Sequence, residues 1–326
     1  MLALLVEQLS EDLSGLSLHT LPSPTRNAGE VLVRVHAASL NYPDLLMTKG
    51  KYQFKPEPPF VSGMELAGEV LEADLGSAFA VGDRVRGGAK TGAFAEIASV
   101  PEASLHRIPD GVDFATAAAM GSAYHTAYVA LVECGQLQPG QTVLVHGASG
   151  GVGLAACDLG KALGANIIAA THKHEKLEAI HALVEPKAVI LNRDRFREEV
   201  AAITDGRLCD LVYDPIGGDV FDESTRCVTF GGRLLVVGFV SGRIAEVATN
   251  IPLIKGFSIV GVRAGEYARR FPDRGQRIAA EIDRLLTDGV IRPHIDRVLP
   301  LSQWRNGFEA MARGEVIGKL VFEPSR

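Results

Sequence analysis

The sequence predicts an α/β protein in two parts: a β-rich first domain, then a doubly wound parallel sheet, with a β-like tail able to return to the first. Three observations carry this. Residues 1–122 hold short apolar–polar alternations cut by turn residues, residues 142–262 alternate apolar strands with helical stretches, and four glycines cluster directly behind the first of those strands. With 326 residues the chain is long enough for two cores, and its 47% apolar and 22% charged content is that of an ordered globular protein.

In the first part, GEVLVRVHAASL (29–40), AGEVLEA (67–73), GDRVRG (82–87) and AFAEIASV (93–100) alternate apolar and polar residues. Pro22, Pro24, Pro56, Pro58, Pro59 and Gly82-Asp83 lie between them. Many short strands spaced by turns predict a barrel or sandwich. The texture changes at 113–137, an alanine-rich stretch with helical spacing that Pro139-Gly140 stops. Strands follow at 142–148, 166–171, 188–191, 210–215, 233–239 and 258–262, with helices at 151–164 and about 174–184. Apolar strands separated by helices are the pattern of a parallel sheet covered on both faces. The tail holds a helix near 273–288, then the strand-like IDRVLPL and GKLVFE.

Composition excludes several classes. A net charge of −6 and a pI near 5.9 argue against nucleic-acid binding, which favours a basic face. No apolar run reaches the roughly 18 residues of a membrane span. The N-terminus is apolar for only six residues and lacks a basic flank, so it reads as a first strand and not as a signal peptide. Cys134, Cys157, Cys209 and Cys227 form no CxxC pair, which points to neither a zinc ribbon nor a disulfide framework. A reducing cytoplasm is the simplest setting.

The stretch VLVHGASGGVG (143–153) follows a strand and opens a helix inside a βαβ unit. Gly150, Gly151 and Gly153 fall where a dinucleotide site needs a tight turn, close pyrophosphate approach and helix–strand packing. The N–H groups and dipole of the helix N-terminus then attract the pyrophosphate. Ala148 takes the first glycine position of a strict GxGxxG.

These features, together with AASLNYPDLLMTKGKY (37–52), GMELAGEV (63–70), GDRV (82–85), HGASGGVGLAAC (146–157), YDPIGGD (213–219), GGRLLVVGF (231–239) and the closing Gly318-Lys319, resemble the medium-chain dehydrogenase/reductase superfamily. The resemblance covers nearly the whole chain and is to the zinc-free NADPH:quinone oxidoreductase, ζ-crystallin-like branch, in which the loop has the AxGGVG form seen at 148–153. It implies a GroES-like β-barrel catalytic domain at 1–122, an inserted Rossmann NADP-binding domain at 123–263, and a segment at 264–326 returning to the catalytic domain. It also implies a homodimer formed through an edge of the Rossmann sheet, with RLLVVGF or SIVGV as that edge.

Zinc-dependent relatives place ligands where this chain has Leu40/Asn41 and Met64, and their lobe of four close cysteines is missing. Leucine and methionine are not normal zinc ligands, so no zinc is expected, and His36, His125 and His146 read as isolated core or surface residues. Without a metal or a Ser/His/Asp arrangement, the cofactor must bring the chemistry. A hydride donor without metal suits conjugated acceptors, quinones first, enones or enoyl thioesters as the alternative. A crystallin-like nucleotide-binding protein without activity is the non-enzymatic alternative.

The resemblance also assigns residues. Asn41, which would hold the nicotinamide ribose or a substrate oxygen, Tyr52, which would donate a proton or hydrogen bond, and Arg263, which would balance charge, are implied as catalytic. A second tyrosine of relatives is replaced by leucine or methionine in DLLMTKG, and Asp44 reads as an ordinary turn or helix start. The alternative for Tyr52 is a turn aromatic packed on the barrel. Cofactor contacts are implied for Asn41, Thr126, the loop residues Ala148, Ser149, Gly150, Gly151, Val152 and Gly153, then Gly217, Gly238 and Phe239. Thr126 read alone is an interior threonine bonded to its own helix. Where an NAD site has a carboxylate, about 20 residues after the glycines, this chain has Thr171 followed by His172, Lys173 and His174. Thr171, Lys176 and Arg193 are therefore expected to favour the 2′-phosphate of NADPH, the alternative being that the basic residues are solvated surface charges.

Overall fold

The computed structural model describes residues 1–193 and 195–325. It divides into two compact units, Met1–Gly121 with the residues from Pro293 onward, and Ser122–Arg292.

In the first unit the strand Glu30–Leu40 alternates as its sequence does: Val31, Val33 and Val35 are buried and Arg34 is exposed. It pairs antiparallel with Glu65–Glu72, with Ile97–Pro101 and with the C-terminal strand Lys319–Glu323. A second, three-stranded sheet joins Leu16–Thr20, Leu2–Val6 and Phe60–Val61. The core needs both ends of the chain. Phe94 packs edge-on against Phe322 and Phe308 at 5.2 and 6.1 Å between ring centres, and Phe308 comes from the helix Trp304–Ala312.

The second unit is built on a six-stranded parallel sheet. Its order is Ala188–Leu191, Asn166–Thr171, Thr142–His146, Cys209–Asp214, Val228–Val236, Ser258–Gly261. Counted along the chain this is the doubly wound order 3-2-1-4-5-6, so the direction of winding reverses beside Thr142–His146. The interior strands are apolar almost throughout, as burial on both faces requires. Val228–Val236 lies inside the sheet and only Ser258–Gly261 is at that border, so RLLVVGF is not an edge.

The alanine-rich helix runs over Phe114–Tyr128 and then widens into a π-helical turn, Val129–Cys134, with Gly135 N–H donating to the Ala130 carbonyl at 2.7 Å. The second unit also extends beyond the expected 263. The helices Ala264–Arg270 and Pro272–Thr287 belong to it, the latter burying Ile278, Ala279, Ile282 and Leu285. Arg292 N–H closes the unit by donating to Asp158 Oδ2 at 2.8 Å. Only the residues from Pro293 return to the first unit, where Ile295–Pro300 pairs with Lys319–Glu323. Among the described residues no helix is long and apolar enough to cross a membrane.

Candidate functional site

In the second unit the implied cofactor residues gather at the carboxyl ends of the parallel strands. Gly147 leaves the strand Thr142–His146 with a φ of +60°, a conformation glycine adopts without strain. Ala148 N–H then donates to the Ala170 carbonyl at 3.0 Å, which lays the loop beside the end of Asn166–Thr171. The helix Gly151–Ala162 starts at once. A Cβ on Gly153 would lie 2.1 Å from the Gly147 carbonyl oxygen, so the helix can approach the strand this closely only with glycine there. The N–H groups of a first helical turn lack intrahelical acceptors and suit an anion.

The next strand end is basic. Thr171 is buried, and its hydroxyl accepts from Lys173 N–H at 3.3 Å, leaving its own O–H free to donate. The Thr171 carbonyl accepts from Asn192 N–H at 3.0 Å, which brings Arg193 to the same corner. Burial lowers the His172 pKa first, and Lys173, Lys176 and Arg193 lower it further against the opposing effect of Glu175. Three cations, of which Lys176 is buried and Arg193 exposed, and the carboxylate of Glu175 thus surround His172, next to Thr171.

Two further strand ends lie side by side. Gly217 has φ +71° and donates its N–H to Asp214 Oδ1 at 2.9 Å. Gly238 N–H reaches the Asp214 carbonyl at 3.4 Å, and Val240 N–H reaches that of Pro215 at 3.1 Å. Phe239 is left 43% exposed at this rim. The exposed Arg263 follows, its neighbour Val262 donating to the Val236 carbonyl at 2.9 Å. Thr126 is half-buried on the helix Phe114–Tyr128.

In the first unit Asn41 caps the helix Tyr42–Thr48. Its backbone N–H donates to Asp44 Oδ2 at 2.8 Å, and Asp44 N–H returns to the Asn41 carbonyl at 3.0 Å. Asp44 is thus a helix start, as expected, but a fully buried one, and burial raises its pKa to about 7. The Asn41 side chain enters a polar cluster that the sequence reading did not assign. Its Nδ2 donates to the Ser39 carbonyl at 3.2 Å and to Glu65 Oε2 at 3.1 Å, while Lys319 Nζ donates to its Oδ1 at 2.6 Å. Glu65 Oε2 also accepts from Ser39 Oγ at 2.8 Å and pairs with Lys319 Nζ at 3.4 Å.

Glu65 and Lys319 had one available signal: each is a charged residue directly before an apolar run, Leu66-Ala67 and Leu320-Val321-Phe322. Such residues need an opposite partner when buried. Tyr52 is half-buried and packs against the first core, as do the residues of DLLMTKG, where Leu45 and Met47 are buried. The three histidines are placed apart. His36 stacks on Phe114 at 4.4 Å between ring centres, His125 Nε2 lies 3.3 Å from the Ala264 carbonyl, and buried His146 meets Ser224 Oγ at 2.8 Å with its pKa pushed down to about 3. Among the described residues no group of three or more His, Cys, Asp or Glu is arranged to hold a metal.

Residues 151–280 match the family model described as zinc-binding dehydrogenase, and residues 27–110 match the alcohol dehydrogenase GroES-like domain. A quinone oxidoreductase-like protein 2 homolog of Nematostella vectensis is 36% identical over 308 residues, which are 91% of this chain and 83% of the relative. A solved probable oxidoreductase from Mycobacterium abscessus is 36% identical with a TM-score of 0.92, covering 99% of both chains. The quinone oxidoreductase of Thermus thermophilus, solved also in complex with NADPH, is 28% identical with a TM-score of 0.83 over 99% of this chain and 100% of that one.

Proposed function

Because the chain belongs to the medium-chain dehydrogenase/reductase superfamily, in its quinone oxidoreductase branch, we propose that it transfers a hydride from NADPH to a conjugated acceptor, with a quinone as substrate class. The observation that carries the cofactor choice is the basic corner at Thr171. A carboxylate there would repel a 2′-phosphate; a threonine O–H with Lys173, Lys176 and Arg193 around it attracts one. The loop Ala148–Gly153 binds the pyrophosphate through first-turn N–H groups, the rim at Gly217, Gly238 and Phe239 bounds the remainder of the dinucleotide, and Thr126 is assigned a further contact from the helix Phe114–Tyr128.

NADPH supplies the hydride when bound. The chain's own part is to position the acceptor and stabilise the negative charge that appears on its oxygen, which suits hydrogen-bond donors and cations. Tyr52 and Arg263 take these roles. A zinc ion does not fit. Leu40 and Met64 offer no ligand, and the oxygens of the residues next to them in sequence, Asn41 Oδ1 and Glu65 Oε2, already hold the Lys319 ammonium. The reaction proposed is therefore zinc-independent.

The deciding test is NADPH consumption with a panel of quinones and enones in the presence of a chelator. Turnover with quinones that survives chelation is expected. Stoichiometric zinc whose removal stops turnover would overturn zinc independence, and no turnover with any acceptor would favour a non-catalytic nucleotide binder. In the same assay Tyr52→Phe and Arg263→Ala should each lower kcat/KM by about tenfold, the loss of one hydrogen bond to a charged group, with NADPH affinity little changed. Equal activity in both variants would remove these residues from the site.

Cofactor selectivity has its own test. Lys176→Ala and Arg193→Ala should each raise the Kd for NADPH by about tenfold while leaving NADH nearly unaffected, since only NADPH carries the phosphate. A wild type that binds both dinucleotides equally would refute the assignment of this corner.

We also propose a homodimer through the edge strand Ser258–Gly261. Near it Phe230, Leu253 and Ile254 are 85%, 80% and 75% exposed, a cluster of large apolar side chains that a partner would cover. Sedimentation of the purified protein should give a dimer mass, and a monomer at micromolar concentration would exclude it. The unpaired thiols of the four cysteines suit a reducing cytoplasm.

A further inference from the structure

We propose that Lys319 is a positioning residue which, with Glu65, locks the Asn41 carboxamide so that only its oxygen is left to meet a ligand. Asn41 would then recognise a ligand hydroxyl and not donate to a developing oxyanion. The proposal rests on the dinucleotide-dependent reading for the nature of the ligand; the locking of the amide stands on the first unit alone.

A carboxamide has two N–H donors and an oxygen with two lone pairs. Both donors of Asn41 are spent inside the protein, on the Ser39 carbonyl at 3.2 Å and on Glu65 Oε2 at 3.1 Å. One lone pair of Oδ1 is spent on Lys319 Nζ at 2.6 Å. Turning the amide over would set its NH2 against an ammonium and its oxygen against a carboxylate. Lysine can only donate and an ionised carboxylate only accept, so the chemistry of the neighbours fixes the orientation. The neighbours are themselves held: Ser39 is fully buried, Glu65 and Lys319 are each 6% exposed, and Glu65 Oε2 gathers Ser39 Oγ, Asn41 Nδ2 and Lys319 Nζ. The other Glu65 oxygen abuts Gly121, where a Cβ would come within 2.6 Å, with Arg86 Nη1 next to the same point. The backbone of Asn41 is pinned as well, through Asp44.

What Asn41, a half-buried residue, can still offer is its side-chain oxygen, which it shares with the capping-box N–H of Asp44, itself bonded to the Asn41 carbonyl at 3.0 Å. That oxygen accepts from an O–H; it cannot stabilise negative charge. Charge on the acceptor is then left to other donors, and Asn41 contributes to binding equally before and during the reaction.

The experiment compares wild type, Lys319→Met and Lys319→Arg in two measurements. The first is hydrogen exchange of the Asn41 side-chain NH2 by NMR on ligand-free protein labelled with 15N-asparagine. Wild type and Lys319→Arg should exchange slowly and Lys319→Met at least about tenfold faster, the factor expected when one hydrogen bond is lost. The second is steady-state NADPH oxidation with a quinone. Lys319→Met should raise the KM for NADPH by about tenfold with kcat within about twofold, the signature of lost uniform binding, and Lys319→Arg should restore it. A fall in kcat at unchanged KM would overturn the proposal, because it would make Asn41 a group that acts only on the developing charge. Unchanged amide exchange in Lys319→Met would overturn the locking itself. If Lys319→Met does not fold, the double variant E65Q/K319M, which removes one buried charge of each sign, takes its place under the same expectations. A wild type without NADPH turnover would end the reductase reading, and the amide measurement would still decide the locking.

Discussion

Gly153→Ala should weaken NADPH binding by at least about 100-fold, as measured by fluorescence titration, while the protein still folds. The added Cβ would sit 2.1 Å from the Gly147 carbonyl oxygen and 2.6 Å from its carbon. Both are backbone atoms and cannot swing aside as a side-chain tip could. The loop or the helix Gly151–Ala162 must move, and overpacking of this kind typically costs about 1–3 kcal/mol. Moving the helix start displaces the N–H groups proposed to face the pyrophosphate, and losing two such charge-assisted bonds amounts to roughly 100-fold or more in Kd. Gly150→Ala separates crowding of the fold from crowding of the ligand. Its nearest atom would be the Gly147 carbonyl oxygen at 3.4 Å, an ordinary contact, so its Tm should stay near wild type. Undiminished NADPH affinity in Gly153→Ala would show that this loop is not where the dinucleotide binds.

Asp44→Asn should change the pH dependence of stability, in the variant's favour as pH rises. Burial raises the Asp44 pKa to about 7, with Glu65 adding to the rise and the Asn41 N–H and Lys319 opposing it. A carboxyl group with a raised folded pKa contributes its full stability below its unfolded value near 4 and loses it as pH climbs through 7. Across that window the loss comes to about 4 kcal/mol for this one group. Asparagine keeps an oxygen for the Asn41 N–H and has no charge to bury. Between pH 5 and pH 8 the stability of the variant relative to wild type should therefore improve by about 3 kcal/mol in denaturant unfolding. Asp214, whose pKa burial raises to about 6, acts in the same direction in the second unit, so the variant's own profile will not be flat. An identical difference at both pH values would mean that Asp44 stays ionised throughout.

The glycine loop and the Thr171 corner were legible in the sequence because their requirements are local. A positive φ at Gly147, a missing Cβ at Gly153 and a threonine in place of a carboxylate at position 171 are each settled within a few residues. The parallel sheet was legible for the same reason, since strands buried on both faces must be apolar along their length. Asn41, Tyr52 and Arg263 came from resemblance, because a lone asparagine, tyrosine or arginine has no spacing that betrays a role.

Only the tertiary structure decided what joins distant parts of the chain. Lys319 meets Asn41 across 278 residues of sequence and Glu65 across 254, and no local pattern in GMEL or GKLVFE names the partner. The end of the second unit at Arg292 depends on Asp158, and the free edge at Ser258–Gly261 depends on which strand Val228–Val236 lies beside. Local sterics and hydrogen bonding are written in neighbouring residues and can be read there. Partners of buried charges, sheet edges and unit boundaries are set by topology, because their free energy is realised only when the chain has brought its two ends together.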